Sequence, residues 1–249
     1  MTETRHLRNA PIIEALIDMR VAIPSYSLDS LAGLCDKVRD RFPDRKTIHR
    51  GQLTLQINTQ EKSQPNASEL VHAVLGFICS SSDGTRKVQF RGDGFTFNKL
   101  KPYQSWEQMR DEARELWALY SETVANGLPV QRVALRYINH LDIRAGTPLS
   151  EYLLSPPTVP EGLPQGVTEY LNRLVLEHHD LGAAVIVTQN LQPSKAQKDS
   201  MNLLFDIDVF RENANLKHDE VWGVLEGFHT FKNEIFFKSI TEKTAESYQ

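Results

Sequence analysis

Hydrophobic and polar positions alternate strictly from Ile12 to Ile23. Ile13, Ala15, Ile17, Met19, Val21 and Ile23 share one parity, and Glu14, Asp18 and Arg20 share the other, which predicts a half-buried strand. After Pro24 the spacing changes. Ser27 is placed to cap a helix carrying Leu28, Leu31, Leu34, Cys35, Val38 and Phe42, with Pro43 as its stop. Further strands are expected around Leu53–Asn58, Val74–Ser80 and Lys87–Asn98. Ser81-Ser82-Asp83-Gly84 forms the hairpin loop between the last two, and Gly92-Asp93-Gly94 marks a bulge or bend within the third. Ser105-Trp106-Glu107-Gln108 fits a capping box. Behind it, Trp106, Met109, Ala113, Leu116, Trp117, Tyr120 and Val124 form an apolar helical stripe that stops at Gly127 and Pro129.

A second long strand is expected over Val130–Ile143. Five prolines between Thr147 and Gly166 then predict a surface excursion, with at most a short helix at Ser150–Leu154. A helix from about Val167 to Leu176 and strands near Gly182–Asn190 and Met201–Phe210 follow, the strands joined by a polar loop, Gln192–Ser200, expected to be mobile. Val221, Trp222, Leu225, Phe228 and Ile235 then lie along one side of a helix running toward Phe237, with a short turn beyond. Residues 1–127 and 128–249 therefore share an order of elements: a long alternating strand first, and a helix with an early tryptophan last. The pattern predicts an α+β protein, an antiparallel sheet covered by long helices in one compact unit, with an internal duplication as the source of the likeness.

Composition narrows the class. The 249 residues are 40% hydrophobic and 24% charged, a globular balance, and 28 basic against 32 acidic residues give a net charge of −4. Mild acidity argues against nonspecific nucleic-acid binding. The basic segment Lys37–Arg50, which lacks interleaved aromatics beyond Phe42, reads as a solvated helix end. Only Cys35 and Cys79 are present, with no C-x-x-C spacing, so neither a disulfide framework nor a cysteine zinc site is expected. With no signal-like apolar start and no membrane-length apolar run, the expectation is a cytoplasmic chain that does not bind membranes.

Phosphate-binding glycine loops, the G-x-S-x-G nucleophile turn and H-E-x-x-H are all missing. His178 and His179 are adjacent, and neighbours in an extended segment face opposite ways, so they make a poor metal pair. His229 and Asn233 share a helix face and can hold a polar ligand, or satisfy each other inside the core. Asp206 and Asp208 lie on one face of their strand. Two such carboxylates can bind a divalent cation or work as acid and base, but cross-strand pairing with Arg136 accounts for them at lower cost. Glu14, Asp18 and Arg20, together with Arg136, His140, Asp142, Asp206 and Asp208, are expected to form one polar sheet face opposite the helices. Arg136 is its expected binding anchor, while Asn139, on the opposite parity, is expected to be buried against backbone.

Leu7–Ala15 (LRNAPIIEA), Pro102-Tyr103 with Trp106, Arg136-Tyr137-Ile138-Asn139, Phe205-Asp206-Ile207-Asp208, and Phe228-His229 with Asn233 and Phe237 together resemble a sporadically distributed bacterial family of uncharacterised proteins of this length. The resemblance implies no catalytic residue and no cofactor. Its scattered occurrence is like that of genes on mobile or defence islands. The resulting expectation is a non-enzymatic interaction protein, an accessory component of a multi-protein system with another protein as partner. The alternative is a metal-dependent hydrolase or nuclease using Asp206 and Asp208.

Overall fold

The computed structural model describes residues 7–22, 26–50, 73–194 and 199–249. Alternation makes β1 (Ile12–Val21), which lies at the middle of one nine-stranded antiparallel sheet of order β2-β3-β4-β5-β1-β6-β9-β8-β7. From β1 the chain passes through α1 (Leu28–Lys37) to the sheet edge. It returns as a meander through β2 (Asp44–Arg50), β3 (Ala73–Ser80), β4 (Arg86–Arg91) and β5 (Gly94–Leu100), which pairs with β1. After α2 (Trp106–Thr123) the second half repeats the move. Its opening strand β6 (Val130–Arg144) pairs with the other side of β1, the excursion reaches the far edge, and β7 (Tyr170–His178), β8 (Ala183–Pro193) and β9 (Ser200–Arg211) lead back to β6. Helices α3 (Glu220–Ser239) and α4 (Glu242–Glu246) close the chain.

Both predicted caps form, with Ser27 Oγ accepting from the Ser30 amide and Ser105 Oγ from the Gln108 amide. The helices pack on one sheet face around Met19, Tyr137, Phe95, Phe97 and Phe205, all fully buried. A sheet of nine strands is about 38 Å wide, whereas α3, the longest helix at 20 residues, is about 30 Å long. The helices are therefore short relative to the sheet and do not cover it, which corrects the expectation of long covering helices. Among the described residues, the edge at β7 stays bare.

Other local readings also change. Val167–Leu176 is not a helix. Its apolar residues do follow helical spacing, but the residues from Tyr170 onward pair with β8 throughout, because the long apolar β8 would otherwise be left as an open edge. The basic segment after Pro43 is strand β2, with Arg45 over the Phe77 ring. Gly92-Asp93-Gly94 closes a hairpin between two separate strands, β4 and β5. At the start of β1 a register shift between Ile12 and Glu14 turns Ile12, in place of Ile13, into the core. Packing of α1 on β3 brings Cys35 Sγ within 2.7 Å of Cys79 Sγ, although the two are far apart in sequence. The strand expected at Leu53–Asn58 and the centre of the Gln192–Ser200 loop lie outside the described residues.

Candidate functional site

The face without helices gathers most of the side chains singled out in the sequence. Asp18, only 6% exposed, accepts hydrogen bonds from Arg20 Nε (2.9 Å), Arg91 Nη2 (3.1 Å), Arg132 Nη1 (3.0 Å) and Thr96 Oγ1 (2.7 Å). Burial pushes its carboxyl pKa up, but the Arg20 and Arg91 guanidiniums outweigh that and hold it below the ordinary value. Arg136 forks onto Asp206 through Nε–Oδ1 (2.8 Å) and Nη2–Oδ2 (2.6 Å), and Asn98 Nδ2 donates to Glu14 (2.7 Å). Asp208 stands opposite Arg136 in the strand register, yet its carboxylate accepts no hydrogen bond among the described residues. Burial raises its pKa despite Arg132 and Arg136 nearby.

Asp18, Arg20, Arg136 and Asp208 line a shallow groove of about 270 Å³, with Glu14 and Asp206 beside it. His140 and Asp142 share the face farther along β6, where His140 Nε2 is 3.8 Å from Asp142, too long for a hydrogen bond. Arg91 and Arg132, which the sequence reading did not single out, complete the Asp18 cluster. Arg132 shares the strand parity of Arg136, a signal that was legible. Arg91 reaches the cluster only through strand order. Among the described residues, no group of three or more His, Cys, Asp and Glu side chains converges as metal ligands.

A second site lies on the helix side. There the start of β1, the segment before α2, β6 and α3 enclose a cavity of about 140 Å³. Its polar floor comes from α3. Lys232, 6% exposed, sits 3.8 Å above the centre of the Tyr137 ring and donates to Asn233 Oδ1 (2.5 Å). Asn233 Nδ2 in turn lies 3.4 Å from His229 Nε2, and the His229 ring stacks on Trp106 at 4.8 Å. Trp106 Nε1 donates to Glu226 (2.8 Å), which also receives Arg110. Lys232 forms no ion pair among the described residues. Burial brings its pKa down to about 7 and, with help from Lys232 and Arg110, that of His229 down to about 3, so the imidazole is neutral and accepts from Asn233.

Lys232 was missed although its position carried a signal. It interrupts the buried stripe of Val221, Leu225, Phe228 and Phe236 at helical spacing. Asn139 is buried as expected and donates to the Phe205 carbonyl (3.0 Å). Leu7, Ala10 and Ile12, Tyr103 with Trp106, Asn139, and His229 with Asn233 and Phe237 meet here, and Phe205 joins them through that carbonyl and through its ring stacked on Phe236.

Because Trp106 joins α2 to α3 by both stacking and hydrogen bonding, Trp106→Ala is expected to cost about 3–5 kcal/mol in urea denaturation. A variant with unchanged stability would remove the indole from the core.

Compared with family models and with curated proteins, the chain matches none.

Proposed function

We propose that the chain is a non-enzymatic interaction protein, an accessory component of a multi-protein bacterial assembly, and that it docks by strand addition along β7. The observation that carries this reading is the composition of that edge. Leu171, Leu174, Val175 and Leu176 are 46–71% exposed on a terminal strand of the sheet. Natural sheets usually guard such edges with charge, as β2 does at the opposite end with Asp44, Arg45 and Lys46. An edge that is mostly apolar, with only Arg173 and Glu177 charged along its exposed stretch, offers both main-chain hydrogen bonds and side-chain pockets to an added strand.

The occupant we assign is a second copy of β7. Antiparallel self-pairing about Val175 sets Arg173 against Glu177 of the second copy, and Glu177 against Arg173. It also sets Leu174 against Leu176 on the helix side, where β7 continues the core face of β8. Shifting the axis to Leu174 or Leu176 loses both charge pairs. The resulting sheet would present two open faces side by side, and Arg136, 40% exposed in its side chain, would supply the anchor for a further partner.

The test is light scattering on the purified protein. Wild type should be a dimer, and Val175→Lys a folded monomer. Arg173→Glu and Glu177→Arg should each dissociate it, and their combination should restore it. A monomeric wild type, or a dimer indifferent to both charge reversals, rejects the assignment.

The matching order of the two halves supports the internal duplication, with β2 an addition to the first half. The cytoplasmic reading rests on the sparse cysteine content, two residues with no C-x-x-C spacing, and no helix among the described residues is long and apolar enough to cross a membrane. Metal-dependent hydrolysis at Asp206 and Asp208 draws less support, because Arg136 engages both oxygens of Asp206.

A further inference from the structure

The cavity on the helix side serves none of the docking just described, and it contains the one feature that packing alone explains poorly. A lysine at the centre of an apolar helix stripe would be replaced at no loss by leucine or methionine if its only task were to fill space. Lys232 instead brings a charge into the interior with no carboxylate among the described residues to meet it. Its contacts, the Tyr137 π face and the Asn233 carbonyl, neutralise no charge. Around it the walls are apolar and aromatic, from Ile12, Tyr103, Trp106 and Phe237, and Glu107 is the exposed member of the lining.

We propose that this cavity binds a small organic monocarboxylate, with Lys232 as the counter-ion and the aromatic walls holding the apolar body. One deep cation inside an apolar ring fits a single negative charge carried on an apolar group. It does not fit inorganic phosphate, whose second charge would find no second cation, since the other charged side chain lining the cavity is the acidic Glu107. The amides of Asn139 and Asn233 add orientation. Asn139 donates from Nδ2 to the Phe205 carbonyl, which fixes its amide at the cavity wall. Burial has already weakened the hold of Lys232 on its proton. A carboxylate seated against it reverses that cost, and this is the source of the binding energy.

The probes are benzoate, its neutral isostere benzamide, and inorganic phosphate, titrated calorimetrically into the full chain. Benzoate should bind at one site per chain, and benzamide and phosphate each about tenfold or more weaker, the loss of one charge-assisted contact. Lys232→Met should lose benzoate by a similar factor while staying folded. Glu107→Gln, which removes the repelling charge from the lining, should tighten benzoate. Equal affinity for benzoate and benzamide, or benzoate binding that survives Lys232→Met, overturns the proposal. It is also overturned if benzaldehyde with cyanoborohydride modifies Lys232 while benzoate gives no heat, because the lysine would then be a nucleophile toward carbonyls and not a counter-ion.

Discussion

Asp18→Ala is expected to destabilise the fold by about 3–5 kcal/mol, the cost of leaving buried charge without its partner. Three guanidiniums converge on this carboxylate, and the Arg91 side chain, 8% exposed, has little access to water. Removing the acid leaves like charges facing one another across β1, β4 and β6. Equilibrium urea denaturation measures the loss, and a change below about 1 kcal/mol would show that solvent already screens the cluster. The pH dependence has a defined sign. The folded pKa of Asp18 lies below its unfolded value, so its contribution is fully present above the ordinary carboxylate range and fades as pH falls through the lowered folded value. Asp18→Asn should flatten that acid limb.

Lys232→Met is expected to act in the opposite direction and stabilise the ligand-free protein by about 3 kcal/mol at pH 7, offset in part by the lost cation–π contact. With a folded pKa of about 7 against 10.5 unfolded, the folded state binds fewer protons over the interval between. Wild-type stability should therefore rise with pH from about 7 to about 9.5, where unfolded-state tyrosines begin to ionise. The groups facing Lys232 do not confuse this slope. His229 is neutral throughout, and burial holds the Tyr103 and Tyr137 hydroxyls protonated beyond it. Melting temperatures across this interval should rise for wild type and stay flat for the variant. A destabilised Lys232→Met would mean that the ammonium is compensated in a way that its contacts do not reveal.

Local rules were sufficient wherever one residue's neighbours in sequence are also its neighbours in space. Strict alternation determined β1, β6 and β9 and, beyond the register shift at Ile12 and Ile13, the face their side chains take, because a strand separates apolar from polar side chains by alternation. For the same reason the grouping of Arg136, Asp206, Asp208, Asp18 and Glu14 on one polar face was legible, and Ser27 and Ser105 set their helix starts through hydroxyls that reach only three residues along the chain.

The tertiary structure decided what depends on partners far along the chain. Val167–Leu176 carries helical spacing, yet from Tyr170 onward it pairs with β8, since the main-chain hydrogen bonds gained along β8 outweigh a local propensity of a few tenths of a kcal/mol per residue. That reversal is also what exposes Leu171, Leu174, Val175 and Leu176, because an apolar stripe made for one side of a helix is split between both faces of a strand. The cavity around Lys232 joins residues from Leu7 to Phe237, and Arg91 reaches Asp18 only because β5 alone separates β4 from β1. Spacing along a chain cannot encode such meetings, which follow from strand order and from the single hydrophobic core that strand order creates.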